Sequence, residues 1–437
     1  MRHTIVLGLL LAIAAASARA VELSGDGEVL VFPFFSADNG WDSLINISSG
    51  SEPAILKIRV REGVDGVEVG SFNVYGFGNE SWRASISKSD AGGAQMRIAE
   101  GHCTVAQDLQ HGGVGTVFPI EADVGTVEVY AVPGRLSESA ATSSCADLAA
   151  RWEPAGVWRT EPSKDLTSIP TPRLSGELTL VRVADGLAAS LEATALHDFS
   201  DSVAHTAPWS ASPNLAEADP VAKLPGNDHD VVPRSGLGID AVAMVLGLGS
   251  LGTVTNDVVT LSAIDASTDW ILSYPLDGYR RYRPFTANAG GVTRDCETLG
   301  QLQVEGEPHA EIPVDHQALR SWGSGIYKDQ RTEVDITPAP TTRTVALQVC
   351  HAVNILAFEA RPSVLLSGDS PLVIAVNGAT AAEVSTLEWK PIHPVYPAQS
   401  GVGRPVLGFR LTTFINGTLD GGRVLANYAT LKPHSRH

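Results

Sequence analysis

The side chains best suited to contacting a ligand lie together at Tyr279, Arg280, Arg281, Tyr282 and Arg283, a basic and aromatic run in a chain of net charge −18 at pH 7. Guanidinium groups present planar forked donors that fit carboxylates and sulfates, and tyrosine rings pack on sugars and peptides. This chemistry selects an acidic glycan or an acidic protein patch, including one on a second copy of the chain. The same run would also serve as the charged face of an ordinary strand that pairs with the protein's own acids. A second group, Asp228, His229 and Asp230, sets two carboxylates and an imidazole on one loop, the donor types of a cation site. Calcium takes six to eight oxygen ligands, so three adjacent residues complete such a site only with help from elsewhere. His197 and His205 flank Asp198 and Asp201, and a zinc site among them would depend on contacts made in the folded chain.

Other patterns carry less chemistry. The run from Gly247 through Gly249 to Gly252 has the glycine spacing of a dinucleotide-binding turn, which requires a helix after it to hold the pyrophosphate. The next residues, 253–260, form a β-branched stretch, so a plain turn is expected. The chain has no Gly-x-Ser-x-Gly elbow, His-Glu-x-x-His, phosphate-binding Gly-Lys-Ser/Thr loop or Cys-x-x-Cys pair, and nothing in it calls for a cofactor. Asn-x-Ser/Thr triplets begin at Asn46, Asn79 and Asn416 and matter only in a host that glycosylates them.

The elements that must position these groups are read from the composition and patterning. The first twenty residues run from basic Arg2 and His3, through an apolar stretch 5–16, to Ser17-Ala18-Arg19-Ala20. This is the form of a secretory signal peptide cleaved after Ala20, too short in its apolar part to span a bilayer, and no membrane span is expected in the mature chain. The expected destination is the periplasm or beyond. The acidic balance repels phosphate backbones, which argues against nucleic-acid binding. Four cysteines, Cys103, Cys145, Cys296 and Cys350, fall two in each half, and oxidised pairs are the rule in an exported chain. Four cysteines allow three connectivities. Cys103 with Cys145 and Cys296 with Cys350 are the pairings that close loops within single domains, each worth roughly 4 kcal/mol at most by chain entropy.

Period-two alternation is the main structural signal. Leu56, Ile58 and Val60 alternate with Lys57, Arg59 and Arg61, the pattern of a strand with one wet face. Trp82, Ala84 and Ile86 alternate with Arg83, Ser85 and Ser87. Continuous apolar runs at 29–35 and 372–376 suit strands covered on both faces, with Pro33 expected at an edge or a bulge. Ser144 suits the cap of a short helix running to Trp152, and Asp240 that of another at 241–246. The irregular stretches 205–236 and 304–340 read as linkers or as long excursions packed on a sheet. The chain is therefore expected to be mainly β, with two antiparallel β-sandwich-like domains at 21–165 and 176–437, long irregular loops and one or two short helices. The boundary falls in the proline-rich stretch 163–175.

The segments 27–35 (GEVLVFPFF), 57–63 (KIRVREG), 268–275 (TDWILSYP) and 425–428 (LANY) resemble those of a family of uncharacterised secreted proteobacterial proteins. Members usually run from the Thr-Asp-Trp strand into Pro-Thr-Lys, whereas here Pro275 meets Leu276 and Asp277. The resemblance implies export and two cysteine pairs and offers no catalytic residue. The functional expectation is a non-enzymatic structural or binding protein of the bacterial envelope or extracellular space, with a glycan or an envelope protein as partner. A periplasmic hydrolase assembled from dispersed Asp, His and Ser is the alternative. Alkylation of the naturally produced protein without reductant should leave its intact mass unchanged; label on two or more cysteines would show that the thiols are free.

Overall fold

The computed structural model describes residues 19–50, 54–77, 81–90, 92–106, 116–226, 229–247, 254–259, 265–279, 285–288, 291–294, 299–305, 334–335, 342–358, 363–376, 384–391, 405–415, 418–419, 424–425 and 427–436. The N-terminal half builds two facing sheets. The first contains β1 (Glu22–Ser24), β2 (Val29–Ser36), β4 (Ala54–Glu62), β5 (Glu68–Phe77), β8 (Cys103–Ala106), β10 (Val124–Val132) and β15 (Thr194–His197), in the order β1-β15-β2-β10-β4-β5-β8. The second contains β3 (Asp42–Ser48), β6 (Trp82–Lys88), β7 (Ala94–Ile98), β9 (Val117–Ile120), β13 (Ser175–Arg182) and β14 (Leu187–Glu192), ordered β14-β13-β3-β6-β7-β9. A ribbon of β11 (Arg135–Leu136) and β12 (Leu166–Thr167) falls in the chain between β10 and β13.

A third sheet joins β16 (Val254–Val259), β20 (Leu299–Glu305), β21 (Val334–Asp335), β22 (Thr342–Gln348), β25 (Val384–Pro391) and β30 (Ser435–Arg436). A fourth joins β17 (Ala266–Ser273), β23 (Val353–Phe358), β24 (Val373–Val376), β26 (Leu407–Phe414) and β29 (Tyr428–Pro433). Short ribbons β18 (Phe285–Asn288) with β19 (Gly291–Arg294), and β27 (Thr418–Leu419) with β28 (Val424–Leu425), complete the described strands. The described helices are short: α1 (Glu138–Ala141), α2 (Cys145–Ala150) and α3 (Gly238–Leu246). The fold is mainly β with sandwich-like antiparallel sheets, as the alternation predicts; β23 with β24 is a parallel pair.

Alternation puts Leu56, Ile58 and Val60 of β4, Val127 and Val129 of β10, and Leu30 and Phe32 of β2 on the inner face of the first sheet. They meet Ile45, Trp82, Ile86, Leu178 and Leu180 from the second. Ile271, Val353, Ile355, Phe409 and Leu411 of the fourth sheet enter the same core, so the two halves share apolar packing as well as chain. Polar joints reinforce it. Trp41 Nε1 and Asn39 Nδ2 donate to Val364 O at 2.7 and 3.1 Å. Asp269 of β17 accepts from Ser363 Oγ and the amides of Val364 and Leu365 at 2.6–3.1 Å. Burial nonetheless pushes the Asp269 carboxyl up to about 7.

Local expectations meet mixed outcomes. Pro33 lies where the β2–β10 register shifts between Gly125 and Val127, so the proline falls at a bulge of an interior strand rather than at an edge. Ser144 caps α2 in a capping box with Asp147. Helix α3 begins at Gly238, three residues before its expected start, and Asp240 sits in its first turn instead of at the cap. Strands β13 and β15, beyond the proline-rich stretch expected to be a domain boundary, pair with β3 and β2. The N-terminal sheets thus draw on the chain as far as His197. The clearest correction concerns β4, which is buried on both faces up to Arg61: Lys57, Arg59 and Arg61 are 1, 4 and 5% exposed.

Trp82 is fully buried among these side chains, on the face shared with Ala84 and Ile86. Trp82→Ala should cost about 3–5 kcal/mol in chemical denaturation, the range for emptying a large aromatic site in a packed core. A loss below about 1 kcal/mol would mean that the core closes over the gap.

Candidate functional site

The outer face of the first sheet carries three kinds of surface. At the β15–β2 end Val29, Val31 and Leu196 pack under Phe199, Leu215 and helix α3. At the β5–β8 end Ile55, Tyr75, Val105 and Val132 pack under Leu148, Trp152 and Trp158. Between them runs a charged stripe of Lys57, Arg59, Arg61, Glu68 and Glu128. A row of cations on one strand face normally points to water, and here the chain folds back to cover it.

Glu128, with no exposed surface, is the hub. Its carboxylate accepts from Arg61 Nε, from Tyr130 Oη at 2.7 Å and from Tyr279 Oη at 3.1 Å. The Arg61 guanidinium also donates to Tyr279 Oη at 2.9 Å and to Gly66 O at 3.1 Å, and lies 4.7 Å from the Tyr279 ring centre. Arg59 pairs with Glu68. Burial raises the Glu68 carboxyl, against the pull of Arg59 and Arg61. Burial and then the neighbouring Arg59 bring the Lys57 ammonium down to about 7, with Glu68 pulling the other way.

The cover is part of the irregular stretch 205–236, which packs on the sheet. Its segment 205–213, which makes a turn at 207–210, crosses the stripe as a strap held through its carbonyls. Asn73 Nδ2 donates to Thr206 O at 2.8 Å, and Lys57 Nζ to Ala207 O and Pro208 O at 2.8 and 2.6 Å. Arg59 donates to Ala211 O at 2.5 Å and Pro213 O at 2.9 Å. Peptide dipoles here do what water does for an exposed cation. At its start the strap inserts His205 among Tyr75, Trp152 and Trp158, with ring centres 4.9–5.6 Å away. Arg159 stacks over half-exposed Trp209 at 5.0 Å. Beside this aromatic cluster Cys103 of β8 is bridged to Cys145 of α2.

The residues singled out in the sequence come to rest at separate points of the fold. Tyr279 is partly buried, and its hydroxyl is consumed by Arg61, Glu128 and the amide of Leu215. It is fixed there by a close approach: a Cβ on the preceding Gly278 would lie 2.2 Å from Gly66 O. Arg280, Arg281, Tyr282 and Arg283 lie outside the described residues, as do Asp228 and Cys296. Cys350 is disulfide-bonded. His229 and Asp230 are exposed near the tip of a hairpin closed by Leu224 and Val231, where Asp230 lies 3.4 Å from Lys223. His197 and Asp198 come together with Glu22, ligand atoms within 4.8 Å of one another, a donor set suited to a metal ion. In this structure His197 Nε2 faces the Arg173 guanidinium at 2.8 Å and Nδ1 faces Glu28 at 3.4 Å. The next described element after Gly247 is strand β16 and not the helix that a dinucleotide turn requires. The charged stripe itself was legible only as residue types, because alternation reports two faces and not what later covers them.

Removing one partner from this stripe should leave a buried charge unmatched. Glu128→Gln is expected to lower stability by about 3–5 kcal/mol. Replacing Arg61 and Glu128 together by Met and Leu should cost much less than the sum of the single losses, a difference readable from a double-mutant cycle in denaturant; additive losses would show that the pair is uncoupled. No protein-family model matches the chain, and neither a curated protein nor a solved structure matches it.

Proposed function

We propose that the chain is an exported structural or binding protein of the bacterial envelope or extracellular space that acts through its surface. The observation that carries this reading is the use made of the ionisable groups in the first sheet. Lys57, Arg59, Arg61, Glu68 and Glu128 are spent on one another and on holding a strap. That is an investment in rigidity, suited to a scaffold that presents a fixed exterior.

Two features favour export. The leader-like first twenty residues are followed by Val21, whose amide donates to Val221 O at 2.8 Å, so cleavage after Ala20 leaves β1 and its neighbours intact. The Cys103–Cys145 bridge is at home in an oxidising compartment. The partner class is an acidic glycan or an acidic protein face, contacted through the arginine run that continues from the anchored Tyr279.

Fractionation of producing cells with N-terminal sequencing should find the protein outside the cytoplasm and starting at Val21. Binding to anionic glycan arrays, or self-association, should weaken with salt and be lost when Arg280, Arg281 and Arg283 are all replaced by Ser. Retention in the cytoplasm, or turnover of ester, glycoside or peptide substrates, would overturn the reading, the latter in favour of a hydrolase.

A further inference from the structure

His205 is 4% exposed and both of its ring nitrogens are committed. Nδ1 lies 2.5 Å from Pro162 O, an atom that can only accept, so Nδ1 carries the proton. Nε2 lies 2.8 Å from Tyr75 Oη. That phenolic oxygen accepts from Trp152 Nε1 at 2.9 Å and from Asn73 Nδ2 at 3.1 Å, which uses both of its lone pairs. Its one hydrogen must therefore point at Nε2, and the imidazole is neutral. A second proton on the ring would place N–H against O–H, and Tyr75 could accept it only by giving up Trp152 or Asn73. Among the described residues no carboxylate faces the ring to stabilise a charged form. The charged groups around it are Lys57 from β4, which opposes protonation, and on the covering segments Arg151 over Trp158, paired with Asp165, and Arg159 over Trp209.

We propose that His205 is a proton-operated latch: protonation at Nε2 expels the ring from the Tyr75–Trp152–Trp158 pocket, lifts the start of the 205–213 strap and uncovers the Lys57 and Arg59 stripe. Beyond this one ring the strap's hold on the sheet runs through Lys57, Arg59 and Asn73 to backbone carbonyls, contacts that water can replace once the ring has left its pocket. Burial, ahead of the opposing Pro162 hydrogen bond, holds His205 down at about 4. A latch whose free ring titrates at 6.5 and whose docked ring titrates at about 4 shifts its open-to-closed ratio by up to about 300-fold once protonated. The sign is that of a depressed base: the closed state is fully favoured above pH 6.5 and loses that advantage as pH falls through 4.

Hydroxyl-radical footprinting of the full chain between pH 7 and 3.5 tests this, with Tyr75 and Trp158 as buried reporters. Their oxidation should rise by between about 10- and 300-fold in acid while Trp82 in the core stays protected, and His205→Gln should abolish the pH dependence. Equal protection at both pH values, simultaneous exposure of Trp82, or an unchanged response in His205→Gln would overturn the proposal. If that variant does not fold, the imidazole resonance of His205 in labelled wild-type protein decides. Titration at the pH of Tyr75 exposure supports the latch, and titration elsewhere refutes it.

Discussion

Lys57, Arg59 and Arg61 are carried into the interior on a single strand face, and the outer half of the N-terminal sandwich is organised around neutralising them. Moving an ion out of water costs several kcal/mol even after relaxation, and two carboxylates stand against three cations here. Glu68 and Glu128 meet the arginines. Lys57, without a carboxylate in contact among the described residues, is met by two peptide carbonyls instead. The strap is therefore part of the solvation of the sheet, and deleting it would leave the stripe to hydrate itself.

The same logic of polar closure appears where the two halves meet. The turn at 363–367 is held on one side by Asp269 and on the other by Asp38, Asn39 and Trp41. Ser273 Oγ donates to Pro33 O, at the residue whose missing amide already opened a bulge in β2. The bulge thus leaves a carbonyl turned out of the ladder, and a strand of the other half uses it. Apolar packing supplies the bulk of the junction, and these directional bonds set its register.

Much of this was legible in the residues. Alternation located β4 and β6, the continuous apolar run at 29–35 located β2, and Ser144 marked the start of α2. What failed was the inference from alternation to exposure. A strand reads as half-wet when its polar positions are charged, yet the rule assumes that no later segment returns to cover that face. The covering stretch has no periodicity of its own because it is held by main-chain carbonyls, which every residue possesses. In the sequence His205 stands only as one of two histidines near acids; its partners, Tyr75 and Trp152, come from β5 and from beyond α2, and no spacing in the chain joins them. Tyr279 stands out for its arginine neighbours, while the structure commits its hydroxyl to an arginine and a glutamate more than a hundred residues away in sequence.

The bridge between Cys103 and Cys145 ends at β8, the outermost strand of its sheet, which pairs with β5 on one side alone among the described residues. Tying β8 to α2 keeps a helix beside that edge, and α2 in turn seats Leu148 against the aromatic cluster. Reduction would therefore do more than loosen one loop. It would loosen the seat of α2 and with it the packing of Leu148 beside Tyr75, Trp152 and Trp158, so the sulfur bridge steadies the aromatic cluster as well as the strand.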